Sequence, residues 1–179
     1  NRLPVSVTHY YNSCDSDKDE FGMGYGWRTS LHQTLHKVLY NGEVEFVYTD
    51  GDGTEHFFQK NKDDQKKYSD QSGLSLTLEV GDENITITDK GDNVMTFPLV
   101  SENPTEDAPE TAKVLIQKIQ DAVGNEVTVT AVADSPLKIA SVTDGANRVT
   151  TLHYTDGRCD RIQTPWQNEN SCVRFNYYN

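Results

Sequence analysis

Two histidines four residues apart, in His32-Gln33-Thr34-Leu35-His36, have the spacing of a zinc-binding H-E-x-x-H helix. Gln33 stands where that chemistry needs a glutamate as general base, and no third ligand accompanies the pair, so metalloprotease chemistry is not expected. The segment is predicted to be a strand, where positions four apart also share a face, with the histidines as structural or surface groups. Asp15, Asp17 and Asp19 alternate in Asp15-Ser-Asp17-Lys-Asp19-Glu20-Phe21-Gly22, the way calcium loops gather hard oxygen ligands. An EF-hand would need Gly at Glu20 and Glu at Gly26, and the competing reading is a solvated acidic loop. These three aspartates are the metal candidates. No catalytic residue is assigned and no cofactor is expected.

Other chemistry-bearing patterns are missing. The sequence has no G-x-S-x-G, no P-loop and no G-x-G-x-x-G opening a helix. The glycine-rich Gly22-Met-Gly24-Tyr-Gly26-Trp27 lacks a βαβ setting for phosphate; it is expected to be a bend with Trp27 covering the core. Acid pairs for glycoside hydrolysis are defined by separation in space and stay open. Trp27 and Trp166, with Tyr10, Tyr11, Tyr25, Tyr177 and Tyr178, could make a sugar-stacking platform; core packing is the competing use of such rings. Cys159 and Cys172 flank a short loop and could pair in an oxidising compartment, leaving Cys14 odd; three free thiols are the alternative.

The elements that would position these groups are strands. Val44, Phe46 and Tyr48 alternate with polar residues, although Val47 interrupts the pattern. Leu74 to Val80, Ile85 to Thr88, Val127 to Thr130 and Val173 to Tyr177 repeat the alternation, which places apolar and polar rows on opposite faces. Between the runs lie Asn41-Gly42, Asp50-Gly-Asp-Gly53, Gly81-Asp82, Lys90 to Asn93, Gly124-Asn125, Asp144-Gly145 and Asp156-Gly157, all turn chemistry. Strand, turn, strand at this spacing predicts an all-β, antiparallel meander, with a closed β-sandwich as the alternative. Residues 61–72 are charged and aperiodic and are expected to be a solvated loop. Residues 101–110, acidic with two prolines, are expected to be a loop or linker between an N-terminal β region (1–100) and a set of hairpins (111–179). Within 111–123 both a helical face and a strand entering a hairpin fit the apolar positions, and the strand is favoured. An aliphatic-x-Asp pattern followed by a Gly/Asn turn recurs at Ile87, Ile119 and Val142, which suggests repeat architecture.

Composition narrows the partners. The 179 residues carry 16 Lys+Arg against 28 Asp+Glu, a net charge of −12. Nucleic acid and anionic membranes, which need a positive footprint, are not expected partners. No apolar run approaches the roughly 20 residues that span a bilayer, so membrane insertion is not expected. The start at Asn1-Arg2-Leu3-Pro4 reads as a cut within a longer chain and carries no information on secretion.

Tyr154-Thr-Asp156-Gly157-Arg158-Cys159-Asp-Arg-Ile162 resembles an RHS/YD repeat, whose core reads roughly Tyr-Asp-x-x-Gly-Arg-Leu-x-x-Ile. Ile139 to Asp144 and Asn147 to Val149 resemble the upstream half. Phe21 to Ser30 and Thr49 to Phe58 resemble the segment that leads into such repeats in large wall-associated or secreted bacterial proteins. Cys159 replaces the usual Leu, and the Tyr-to-Gly spacing is one residue short. The resemblance implies a twisted, repeat-like sheet or partial β shell that can enclose a C-terminal effector, as in toxin-complex subunits and teneurins. It further implies a non-enzymatic structural segment, secreted or at the cell surface, whose partners are neighbouring repeats of the same chain. Tyr154, Asp156, Gly157, Arg158 and Ile162 would be the motif residues. The alternative function is a β module that binds cell-wall or other glycans through Trp27 and Trp166.

Overall fold

The computed structural model describes residues 3–178; the chain start at Asn1-Arg2 lies outside the described residues. Those residues form an all-β molecule of antiparallel strands, dominated by one large sheet that is not closed into a barrel. A small two-stranded sheet, β1 (His9–Tyr11) with β2 (Trp27–Thr29), precedes it. The main sheet opens with a seven-stranded meander: β3 (Thr34–Tyr40), β4 (Glu43–Thr49), β5 (Glu55–Lys60), β6 (Lys67–Asp70), β7 (Thr77–Val80), β8 (Asn84–Thr88) and β9 (Val94–Pro98). The chain then returns to pair β10 (Val114–Leu115) with β3, and β11 (Lys118–Gln120) with β9. β12 (Glu126–Val132), β13 (Ser135–Thr143), β14 (Val149–Thr155), β15 (Arg158–Gln163) and β16 (Val173–Arg174) extend the sheet from β11.

The 114–120 crossing organises the fold. Ile116 N–H bonds Gln33 O at 2.9 Å, and the next residue, Gln117, bonds Thr96 O at 2.8 Å. Neighbouring residues thus reach the first and last strands of the meander. The meander must curl until its ends almost meet, with the crossing strand laid between them. Ile116 is buried inside that curl with Leu35, Phe46, Phe58, Leu78, Ile85, Ile87 and Phe97, and the same apolar cluster continues through Ile139, Val142 and Leu152 to Ile162. Residues 101–108 form a loop, and 109–113 lie along β3, with a Val38↔Glu110 bridge and reciprocal bonds between Lys37 and Thr111.

The recurring Asp turns share one geometry. At Asp50, Asp89, Asp121 and Asp144 the carboxylate Oδ1 accepts from the N–H groups two and four residues on, at 2.7–3.1 Å. In each, the Asp N–H bonds the carbonyl four residues on at 3.0 Å. The residue three after the Asp has positive φ: Gly53 at 99°, Asp92 at 59°, Gly124 at 85° and Asn147 at 59°. This is a type I turn with a left-handed bulge residue, which joins strands with their native twist. Side chains from Asn93, Asn125 and Arg148 close onto the remaining carboxylate oxygen at 2.6–2.8 Å and hold Asp89, Asp121 and Asp144 below the usual carboxylate range, Asp144 at about 2.

Several local expectations change. Residues 61–72 contain β6, whose Tyr68 packs edge-on against Phe46 at 4.9 Å. Leu74 is outside the strand and exposed, because Ser75 takes a positive φ of 59° and β7 starts only at Thr77. Within residues 111–123 the favoured strand reading holds, with β10 and β11 at Val114–Leu115 and Lys118–Gln120. Val47 breaks the alternation of β4 because both faces of that strand are covered: Phe46 and Val47 are each 1% exposed. Trp27 does not cover the core and is 44% exposed.

Candidate functional site

Two concave regions collect the polar and aromatic side chains, and Trp27 borders both. The first lies where the β14–β15 turn meets the glycine-rich bend. Asp156 and Gly157 form a tight turn with φ of 50° and 81°. Cys159 N–H bonds Gly22 O at 2.6 Å, and Lys138 Nζ reaches Gly157 O at 2.6 Å. Arg158 lies between the rings of Tyr25 and Tyr177, 5.2 Å from each centroid, and its Nε bonds Asp19 Oδ2 at 3.3 Å. Tyr177 OH donates to Cys159 O at 2.7 Å and Tyr154 OH to Ile139 O at 3.0 Å. Burial pushes the Tyr177 phenol up to about 12 and raises that of Tyr154, so both stay protonated donors. Ile162 is buried in the core. His9, Met23, Tyr178 and Phe175 complete this aromatic cleft beside Trp27.

The second region is a polar cavity of about 440 Å³ on the face of β3–β5 opposite the core. Strand register sets its floor. His36, Val47 and Phe57 lie in one cross-strand row, with Thr34, Thr49 and Glu55 in another. The N-terminal segment covers one side, bringing Arg28 and Glu20; the 109–113 strap brings Glu110 and Lys113. Arg28 is 7% exposed. Its Nη2 donates to His32 O, and its guanidinium stacks 5.0 Å from the Phe21 ring centroid. It makes no ion pair among the described residues, and its Nε has no partner there. Burial pulls it below the usual arginine value, opposed by the field of Asp50, Glu20, Asp15 and Asp52. His36 is 3% exposed with Nδ1 unpaired. The Glu20–Lys113 ion pair, at 2.8 Å, links the N-terminal segment to the 109–113 strap.

Other residues singled out from sequence are dispersed. Asp15 accepts from Asn12 Nδ2 at 2.8 Å, while Asp19 accepts from Gly24 N–H at 3.0 Å and from Arg158. The three alternating aspartates therefore do not converge, and no group of three metal-capable side chains occurs among the described residues. His32 precedes β3 and is fully buried; its Nδ1 accepts from Thr29 N–H at 3.0 Å, so the ring is a local clasp. Burial, with Arg28 close by, pushes His32 down to about 3. Trp166 is remote from both regions and stacks on Arg148, 5.0 Å from centroid to guanidinium carbon. Cys14, Cys159 and Cys172 are free thiols. Sequence reading missed Arg28, Glu55, Glu110 and Lys113. They come from three separate segments, and only the fold brings them to one cavity.

Residues 1–58 match a family described as a domain of unknown function (DUF6531). That segment carries β1–β4, the glycine-rich bend and Arg28. A search of curated proteins finds no match to the chain.

Proposed function

We propose that this chain is a non-enzymatic structural segment of a larger RHS/YD-repeat protein, secreted or at the cell surface, contributing to a β-sheet shell that can enclose or deliver a C-terminal effector. The observation that carries the reading is the use made of the Tyr154–Ile162 motif. Tyr154, the Gly157 carbonyl and Arg158 are spent on holding strands together, while the Asp156 side chain is exposed in the turn. Tyr154 ties β14 to β13, the Asp156-Gly157 turn receives Lys138, and Arg158 is clamped between two rings and Asp19. Ile162 fills the core. Tyr154 OH and Arg158 Nε are both bonded within the fold rather than held free, as a nucleophile or an acid–base pair would be.

An open sheet supports the same reading. Among the described residues β16 pairs with β15 on one side only, and Val173 is 49% exposed. A short unpaired edge is a template for a further strand. Neighbouring repeats of the same chain are thus the proposed partners, and the net charge of −12 disfavours nucleic acid. Amide hydrogen exchange tests this. In a chain continuing through further repeats after position 179, the Val173 and Arg174 amides should be protected more strongly than in residues 1–179 alone. Equal exchange in the two chains refutes extension across β16.

A further inference from the structure

We propose that the polar cavity on the outer face of β3–β5 is a binding site for a neutral glycan, with Trp27 as its stacking wall. The starting point is unpaired polar atoms. Arg28 and His36 are both more than nine-tenths buried, both line the cavity, and Arg28 Nε and His36 Nδ1 have no partner among the described residues. Buried polar groups are normally satisfied, and an orphan beside a cavity points to something that occupies it.

Charge then selects the class of occupant. The carboxylates of Asp15, Glu20, Glu55 and Glu110 line the cavity, against the cations Lys18, Arg28 and Lys113. Lys113 is neutralised by Glu20 at 2.8 Å. An anionic ligand attracted to Arg28 would face Glu55 and Glu110, in a protein whose net charge is already −12. A cationic ligand would be held against a buried guanidinium. A neutral ligand with many hydroxyls avoids both penalties. Each hydroxyl donates one hydrogen bond and accepts others, so it can satisfy Arg28 Nε as donor and Glu55 or Glu110 as acceptor in one ring. The walls supply the remaining requirement. Trp27 (44% exposed), Phe57 (39%) and Tyr40 (56%) line the same cavity and offer ring faces to the C–H face of a sugar. Trp166, the other tryptophan with glycan-stacking potential, is 74% exposed but does not line the cavity.

The test is a titration of the intact chain with three neutral oligosaccharides (maltohexaose, cellohexaose and chitohexaose) and two anionic ones (heparin and polygalacturonate), read by calorimetry and tryptophan fluorescence. At least one neutral oligosaccharide should bind saturably and more tightly than either anionic one. Trp27→Ala should weaken that binding by about tenfold, the loss of one stacking wall, while Trp166→Ala leaves it unchanged. Glu55→Gln, a conservative change at an exposed site, should weaken it as well and serves where Trp27→Ala perturbs the fold. No saturable binding of any neutral oligosaccharide overturns the proposal. So does preference for the anionic ones, or binding that survives both Trp27→Ala and Glu55→Gln.

Discussion

Gly22 is the point where the glycine-rich bend and the last large hairpin interlock, and replacing it measures how much that interlock contributes. Its φ is +70°, and a Cβ there would lie 2.7 Å from Gly157 O, 3.0 Å from Lys138 Cε and 3.1 Å from Tyr154 Cε1. Gly42, in the β3–β4 turn, is the control: its φ is +80°, and a Cβ there meets nothing within 4 Å. An alanine held in the left-handed region costs about 1–2 kcal/mol at either position. At Gly22 the nearest obstacle is a backbone carbonyl fixed by the Asp156-Gly157 turn, which cannot rotate away. Overpacking of that kind adds about 1–3 kcal/mol. The displaced bend also strains the 2.6 Å bond from Cys159 N–H to Gly22 O. Urea unfolding followed by circular dichroism should place Gly22→Ala below Gly42→Ala by about 1–3 kcal/mol, at an unchanged slope with denaturant. If the two variants unfold at the same midpoint, the bend is not docked on the hairpin, and the structural reading of the motif loses its main contact.

Two further outcomes follow from buried titratable groups. His32 is fully buried and pushed by burial down to about 3, well below its unfolded value, so the stability it contributes is complete above roughly pH 6.5 and is lost as pH falls from there towards 3; His32→Asn, whose side-chain oxygen can take the Thr29 N–H, should flatten the pH dependence of the unfolding midpoint in that window, and a wild-type midpoint unchanged between pH 7 and 4 refutes the assignment. Burial also pushes the Cys159 thiol up to about 11, and its Sγ contacts Arg161 O at 3.6 Å, so a thiol reagent at pH 8 should label exposed Cys14 rapidly and Cys159 only on unfolding; rapid labelling of Cys159 in the folded protein contradicts its burial.

How far the fold was legible depended on whether the signal was local. The four Asp turns were legible because side chain, backbone bonds and positive φ all lie within five residues, and the aliphatic-x-Asp pattern around three of them marks that geometry. β6 was not, since Tyr68 is its one buried residue and Lys67, Ser69 and Asp70 leave no alternating apolar row to detect. Trp27 was expected inside. Gly24 and Gly26, with φ of 99° and 74°, turn the chain so that the ring lies beside Tyr11, 5.2 Å between centroids, at the protein surface. The helix-or-strand ambiguity at 111–123 also has a physical cause. The segment serves two edges in turn, so its apolar positions follow neither a clean period of two nor a helical stripe. The polar cavity had no sequence signature, because its floor is a register between three strands and its cover comes from segments more than 80 residues apart.

The same register explains why polar residues persist where apolar ones would pack better. β3 and β4 are covered twice, by the core on one face and by the N-terminal segment and the 109–113 strap on the other. A layer needed only to seal that second face would be filled most cheaply by aliphatic side chains, since a buried charge without an ion-pair partner destabilises and its replacement by an apolar group of similar volume is often neutral or stabilising. The chain instead places Arg28, His36 and the Glu20–Lys113 pair there, and leaves room among them. At the other end of the bend the opposite choice is made: Arg158 is half-buried between Tyr25 and Tyr177, with its charge answered by Asp19. Two arginines, 130 positions apart in sequence and both packed against one glycine-rich segment, are therefore treated differently. The answered one belongs to the architecture of the sheet, and the unanswered one marks the place where the molecule has kept polar capacity for something outside itself.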